Sequence, residues 1–253
     1  MAEARKGVQP DTDKQTHQEW LEQMELESRA KQKRFMDGIA FKLNRPRVME
    51  KPSHPFRGAP DFWAAFEWPL EERIARFTEN FHSVGGHTGR FTDMQEVSGF
   101  IAEKARELSA RYVIRQNEPE LAELGLEAKL EQASVRVWNT EEHEDWRARA
   151  AESDLGIVLA DYAAAYTGSV TVLSSKDKGR SVSLLPTVLF VIIPVERLKT
   201  RLGEVLVNFD KAGQGSLPAG IHFISGPSRS ADIENDLTIG VHGPGVVYAL
   251  IVG

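Results

Sequence analysis

Residues 155–160 read Leu155-Gly156-Ile157-Val158-Leu159-Ala160, an apolar run with no polar alternation. A strand with one wet face alternates apolar and polar residues, so an unbroken run predicts a strand covered on both faces, as in parallel sheets. Upstream, strands and helices alternate. Leu70, Ile74, Phe77 and Phe81 fall at i, i+4, i+7 and i+11, a helix stripe, and Met94, Val97, Ile101, Ala105 and Leu108 form a second. The Gly-rich segment 85–89 between them reads as a turn. A strand is expected at 112–114, a third helix over 119–132, a strand at 134–138 and a fourth helix over 141–151. Alternation at this spacing predicts βαβ units and a mainly parallel sheet with helices on both faces.

Downstream the pattern changes. Segments 170–173, 181–184 and 188–193 read as strands, the first two joined by the polar turn Lys176-Asp177-Lys178-Gly179, which predicts an antiparallel part. Val195, Leu198, Leu202, Val205 and Phe209 form one long helix stripe. A strand at 222–224 and a β-rich end over 246–252 complete the pattern. The fold class is therefore α/β, with a mixed, mainly parallel sheet.

The first 69 residues differ from this body. Residues 18–43 are rich in Glu, Lys, Arg, Gln and Met, which favours helix. Apolar clusters (Trp20, Leu21, Met24; Phe35, Ile39, Leu43) sit at its two ends, so the helix either packs on its own protein or binds a partner. Pro46, Pro52, Pro55, Pro60 and Pro69 then forbid a continuous helix. Phe56, Phe62, Trp63, Phe66 and Trp68 in the same stretch suggest a segment pinned to a surface. Two regions are expected: a helical extension with a Pro- and aromatic-rich linker over 1–69, and an α/β domain over 70–253.

The chain carries 31 Lys and Arg against 37 Asp and Glu, a net charge of -6. Such a balance gives no broad attraction to phosphate backbones, so nucleic acid is not an expected partner. The polar start lacks the apolar core of a secretory signal, and the longest apolar stretch, 187–195, is too short to span a bilayer, so a cytoplasmic protein is expected. There is no cysteine, so the chain offers no thiolate to a disulfide, a nucleophilic step or an iron–sulfur cluster. No cofactor is expected in this chain. GxGxxG and P-loop patterns are absent as well.

Three segments carry candidate chemistry. Gly226-Pro227-Ser228-Arg229-Ser230-Ala231-Asp232-Ile233-Glu234 follows a strand and is expected to open a short helix, where free N–H groups and Arg229 would hold a carboxylate or phosphate at the carboxyl end of the sheet. The alternative is an ordinary capped turn. Thr167-Gly168-Ser169 is a hydroxyl–Gly–hydroxyl turn that lets backbone approach a ligand, or a plain loop. In Gly240-Val241-His242-Gly243-Pro244-Gly245, His242 is an acid or base candidate, with Asp232 or Glu234 as partner, and Gly243 a backbone contact to an anion. His87, His222 and His242 lack local chelating spacing, so no metal site is expected.

Together these segments, with Gly179-Arg180-Ser181-Val182-Ser183-Leu184-Leu185-Pro186 and the region from Phe35 to Trp63, resemble the lactate utilization protein C family of the wider LUD-domain group. The resemblance covers nearly the whole chain. It implies a fold similar to sugar-phosphate isomerases and CoA-transferases, and a place in a three-protein system converting L-lactate to pyruvate and permitting growth on lactate. It also implies two cysteine-rich iron–sulfur protein partners, with this chain supplying binding or a platform. Where many members carry an acidic residue ahead of the Thr-Gly pair, this chain has Tyr166. A stand-alone isomerase or cyclo-ligase acting on a phosphorylated or carboxylated metabolite is the competing expectation, and a small anionic metabolite suits either.

Overall fold

A computed structural model of the chain describes residues 12–50, 66–231 and 237–253. Contacts divide it into two compact units, Met1–Gly58 and Ala59–Gly253.

Among its described residues the first unit has one helix, α1 (Thr12–Lys42), followed by the segment 43–50. Arg29 pairs with Glu25 and Lys31 with Glu27 at i,i+4 spacing, and Asn44 takes a left-handed φ of 49°. Arg47 then folds back 3.0 Å from Asp37. Trp20, Met24, Phe35 and Phe41 are exposed. The aromatics Phe56, Phe62 and Trp63 lie outside the described residues.

The second unit is built on a six-stranded, wholly parallel sheet. Its strands are β1 (His87–Phe91), β2 (Tyr112–Arg115), β3 (Ser134–Val137), β4 (Leu155–Leu159), β7 (Val188–Pro194) and β12 (Val246–Val252), in the spatial order β1-β12-β7-β4-β2-β3. All five residues of β4 are buried, as the unbroken apolar run requires. Leu155, Ile157 and Leu159 face one core with Val97, Ile101, Leu121 and Leu126; Val158 and Ala160 face another with Ile74, Phe77 and Phe81. The helices α3 (Met94–Glu107), α4 (Pro119–Ala122) and α5 (Leu126–Lys129) therefore cover one face. The helices α2 (Leu70–Ser83), α6 (Trp146–Glu152) and α7 (Ser181–Leu184) cover the other. Two carboxylates start helices cleanly: Asp93 accepts from Gln95 and Glu96 N–H, and Asp145 from Arg147 and Ala148 N–H.

A second, four-stranded sheet packs over the α2 side in the order β8-β5-β6-β9, with β5 (Tyr162–Ala164), β6 (Ser169–Leu173), β8 (Leu198–Lys199) and β9 (Ile221–Ile224). The expected antiparallel part is here, but β6 pairs with β5 and β9 rather than with 181–184.

Several local expectations are corrected. Residues 181–184 form one helical turn, not a strand; Val182 is buried, and its carbonyl lies where a Cβ on Gly156 would sit, 2.3 Å away. The stripe from Val195 to Phe209 is not one helix: Val195–Arg197 makes a single 3-10 turn, Leu198 pairs with Ala163 in β8, and the α-helix (α8) spans Leu202–Ala212. Gly125, at φ 57°, splits the expected helix over 119–132 into α4 and α5. Residues 87–89 are not a turn but the start of β1, because β12 supplies a ladder that local propensity does not. Arg229–Ser230 opens no helix; it is a two-residue strand (β10) paired with Thr238–Ile239 (β11).

Candidate functional site

The turns singled out by sequence do meet. Ser169 Oγ lies 2.7 Å from Ser225 Oγ, tying the Thr167–Ser169 turn to the segment after β9. Gly226, at φ 88°, packs so closely that a Cβ there would sit 2.9 Å from Val84 Cγ2. The Arg229 guanidinium lies over Gly85, where a Cβ would come within 3.0 Å of Nη2. The Ser228 N–H donates to the Pro244 carbonyl (2.9 Å), the Gly240 N–H donates to the Ser228 carbonyl (3.0 Å), and Gly243 packs against the Ser228 side chain. Thr167 and His242 are exposed at the tips of their turns, and Ser230 is half-buried in β10. Asp232 and Glu234 lie outside the described residues.

Two parts of the expected anion site are corrected. The cluster lies at the amino end of the parallel sheet, since the N–H groups of Gly245 and Val246 both donate to the Thr187 carbonyl just ahead of β7, and Gly85-Gly86 leads into β1. The strand preceding Ser225 belongs to the four-stranded sheet, so its end is not the usual ligand crevice of an open parallel sheet. With a strand rather than a helix at Arg229, the outward N–H groups of a helix start are missing there, and those of Ser228 and Gly240 already have carbonyl partners. Arg229 remains exposed; among the described residues its guanidinium makes no hydrogen bond or ion pair. The close approach at Gly168 is to protein: a Cβ there would lie 2.9 Å from the Asn80 carbonyl carbon and from the Phe81 nitrogen in α2. Just ahead of Gly168, the Tyr166 ring packs at a tilt against Phe66 and Trp68.

A second polar cluster occupies the carboxyl ends of β2 and β4, and nothing in the local sequence singled it out. Lys178 and Asp161 form a largely buried pair, Nζ to Oδ1 2.6 Å, and Asp161 Oδ2 accepts from the Leu173 N–H at 2.8 Å. The loop 174–180 carries Lys178 there. It is anchored by Asp177, which accepts from Asn117 through both backbone and side chain, and by the Lys176 carbonyl, which accepts from Trp138 Nε1. Gln116 is fully buried; its Oε1 accepts from the Leu159 N–H, while its Nε2 has no partner among the described residues. Arg197 donates to the Ala160 carbonyl and pairs with Glu120. The available signal was the break from apolar to polar at Gln116 and Asp161, where two buried strands end.

Burial pushes the Glu118 carboxyl above the ordinary glutamate value; Lys178 pulls it back, while Glu120, Asp161 and Asp177 push it further up. An acid with a raised folded value binds more protons folded than unfolded, so stability falls as pH rises from the ordinary glutamate range through the raised value. Glu118→Gln is therefore expected to raise the melting temperature slightly at pH 7 and to leave it unchanged near pH 4, a difference that paired thermal melts read directly. Solvent screening keeps the effect small.

The three histidines do not gather. His87 stacks on Tyr248, His242 sits on its exposed turn, and His222 Nε2 lies 3.2 Å from Ser174 Oγ. Among the described residues no three His, Asp or Glu side chains could hold a metal, and no helix is long and apolar enough to cross a membrane. A cavity of about 660 Å³ opens at the amino ends of β2 and β3, lined by Ala105, Arg106, Arg111, Lys129 and Leu130 among others, and it includes no residue of either cluster.

Comparison with known proteins gives a consistent picture. The model of the LUD domain matches residues 74–252. The lactate utilization protein C of Halalkalibacterium halodurans is 38% identical over 214 residues, covering 83% of this chain and 92% of that one. The proteins of the same name from Shouchella clausii and Bacillus subtilis are 35% and 32% identical, over 83% and 84% of this chain and 92% of each relative. Among solved structures, a DUF162 family protein from Deinococcus radiodurans superposes with a TM-score of 0.53 at 17% identity, over 74% of this chain and 99% of that one, a likeness of fold.

Proposed function

Because the chain belongs to the LUD domain family, we propose that it serves in lactate utilization, as one component of a multi-protein system that oxidises L-lactate to pyruvate and permits growth on lactate. The observation that supports this is the match to lactate utilization protein C over 92% of the relatives' length at up to 38% identity. The chain has no cysteine, so in this reading thiolate-held iron–sulfur clusters sit in two cysteine-rich partner proteins, and this chain supplies substrate binding or a platform in the cytoplasm.

Gene deletion tests the reading. Growth on L-lactate as sole carbon source is expected to stop, growth on glucose to continue, and a plasmid copy to restore the first. Unimpaired lactate growth in the deletion strain would remove the reading. The buried Lys178–Asp161 pair beside Gln116, at the carboxyl ends of β2 and β4, favours one alternative, a stand-alone enzyme on a phosphorylated or carboxylated metabolite. Thermal stabilisation separates the two, since a ligand at 100 times its Kd adds about 2.7 kcal/mol. Stabilisation by a phosphosugar but not by lactate or pyruvate would favour the alternative.

A further inference from the structure

Three side chains converge on Gly220, two from the ends of the loop 174–180 and one from β9. A Cβ on that residue would lie 2.7 Å from His222 Nε2, 2.8 Å from Ser174 Oγ and 3.2 Å from Arg180 Cδ. Only glycine leaves the space in which they meet. The backbone fixes two of them: Ser174 follows β6 and its N–H donates to the Gly220 carbonyl (2.9 Å), while His222 lies on β9 opposite Val172. Ser174 Oγ and His222 Nε2 are 3.2 Å apart, and both residues are half-buried. Arg180 ends the loop 174–180 and is exposed; among the described residues its guanidinium makes no hydrogen bond or ion pair.

The chemistry of this trio is specific. The guanidinium offers a planar fork that matches a carboxylate, the hydroxyl adds a donor, and the imidazole accepts or donates according to its tautomer. Burial first, and then the charge of Arg180, hold the His222 ring below the ordinary histidine value. At neutral pH the trio is thus one cation beside two neutral hydrogen-bonding groups. A single negative charge carrying an adjacent oxygen fits this better than a phosphate dianion.

We propose that Arg180, Ser174 and His222 form a binding site for a small 2-hydroxy- or 2-oxo-acid, the carboxylate on Arg180 and Ser174 and the neighbouring oxygen on His222. The choice of acid rests on the lactate reading; the site itself rests on the convergence at Gly220.

The test uses the full-length chain and follows the His222 ring by NMR, assigned with His222→Gln. L-lactate and pyruvate are expected to move the resonance saturably and to raise the pKa of the ring, because a bound anion offsets the Arg180 charge. Arg180→Gln is expected to weaken binding about thirtyfold, the usual scale for a lost charge-assisted pair, and to raise the ring's pKa without ligand. Lys176→Gln, an exposed cation of the same loop, should change neither. No saturable movement in the wild type would overturn the site, as would equal affinity in Arg180→Gln or an equal response to chloride. Acid binding in a protein whose deletion leaves lactate growth intact would count against the lactate role and leave the site standing. Absence of acid binding in a protein whose deletion abolishes lactate growth would overturn the site and leave the role.

Discussion

Lys178→Met is expected to lower the unfolding free energy by about 3–5 kcal/mol, because it strands the Asp161 carboxylate with little water and only the Leu173 N–H for company. A buried ion pair adds little net stability when both charges are present, yet removing one partner leaves the other uncompensated. The double variant Lys178→Met with Asp161→Asn should therefore recover most of the loss, and urea unfolding followed by tryptophan fluorescence measures both. A single variant no weaker than the double would show that the pair is effectively solvated. Arg90 and Glu71 give the contrast: their contact is as short, 2.7 and 2.8 Å, but exposed, and Arg90→Met is expected to change little.

Gly168→Ala is expected to cost about 2–4 kcal/mol, on two independent grounds. The residue sits at φ 56°, where a side chain costs about 1–2 kcal/mol. The added methyl also meets the backbone of α2 at 2.9 Å, and backbone cannot rotate aside as a side-chain tip does. Thermal unfolding checks this, with Ser169→Ala as the milder companion at about 1 kcal/mol for its hydroxyl contact. A glycine kept only so that a ligand can approach would show the reverse: intact stability and weakened binding.

These two sites mark what the sequence disclosed. The parallel core was legible because β4, β7 and β12 carry long apolar runs that only two-sided burial explains. The α2 and α3 stripes were equally plain, and Ile74, Phe77, Phe81, Val97 and Ile101 are all in the core. Local pattern failed where tertiary pairing overrode it. Ser181-Val182-Ser183-Leu184 alternates like a strand yet makes one helical turn, and Leu198 keeps helix spacing with Leu202 yet pairs with Ala163. The meeting of the Thr167, Ser228 and Gly243 turns followed from reading them as one set. Their position at the amino end of the sheet did not, because which sheet receives β9 is decided by β6, not by residues 221–230. The meeting of Gln116, Asp161 and Lys178 was hidden for a similar reason: the polar breaks at Gln116 and Asp161 are visible one by one, but only the folded loop 174–180 brings Lys178 to them.

The placement of β12 has a consequence for biosynthesis. Among the described residues β1 has no other neighbour in its sheet, and the open flank of β7 is filled by the same seven residues, Val246–Val252. While a ribosome is still translating the preceding codons, both edges stand bare, with unpaired amides and apolar side chains able to template aggregation. The parallel layer thus closes in a late, non-local step of the slow kind. A nascent chain stalled before Val246 would be a client for holdase chaperones rather than a partly working domain.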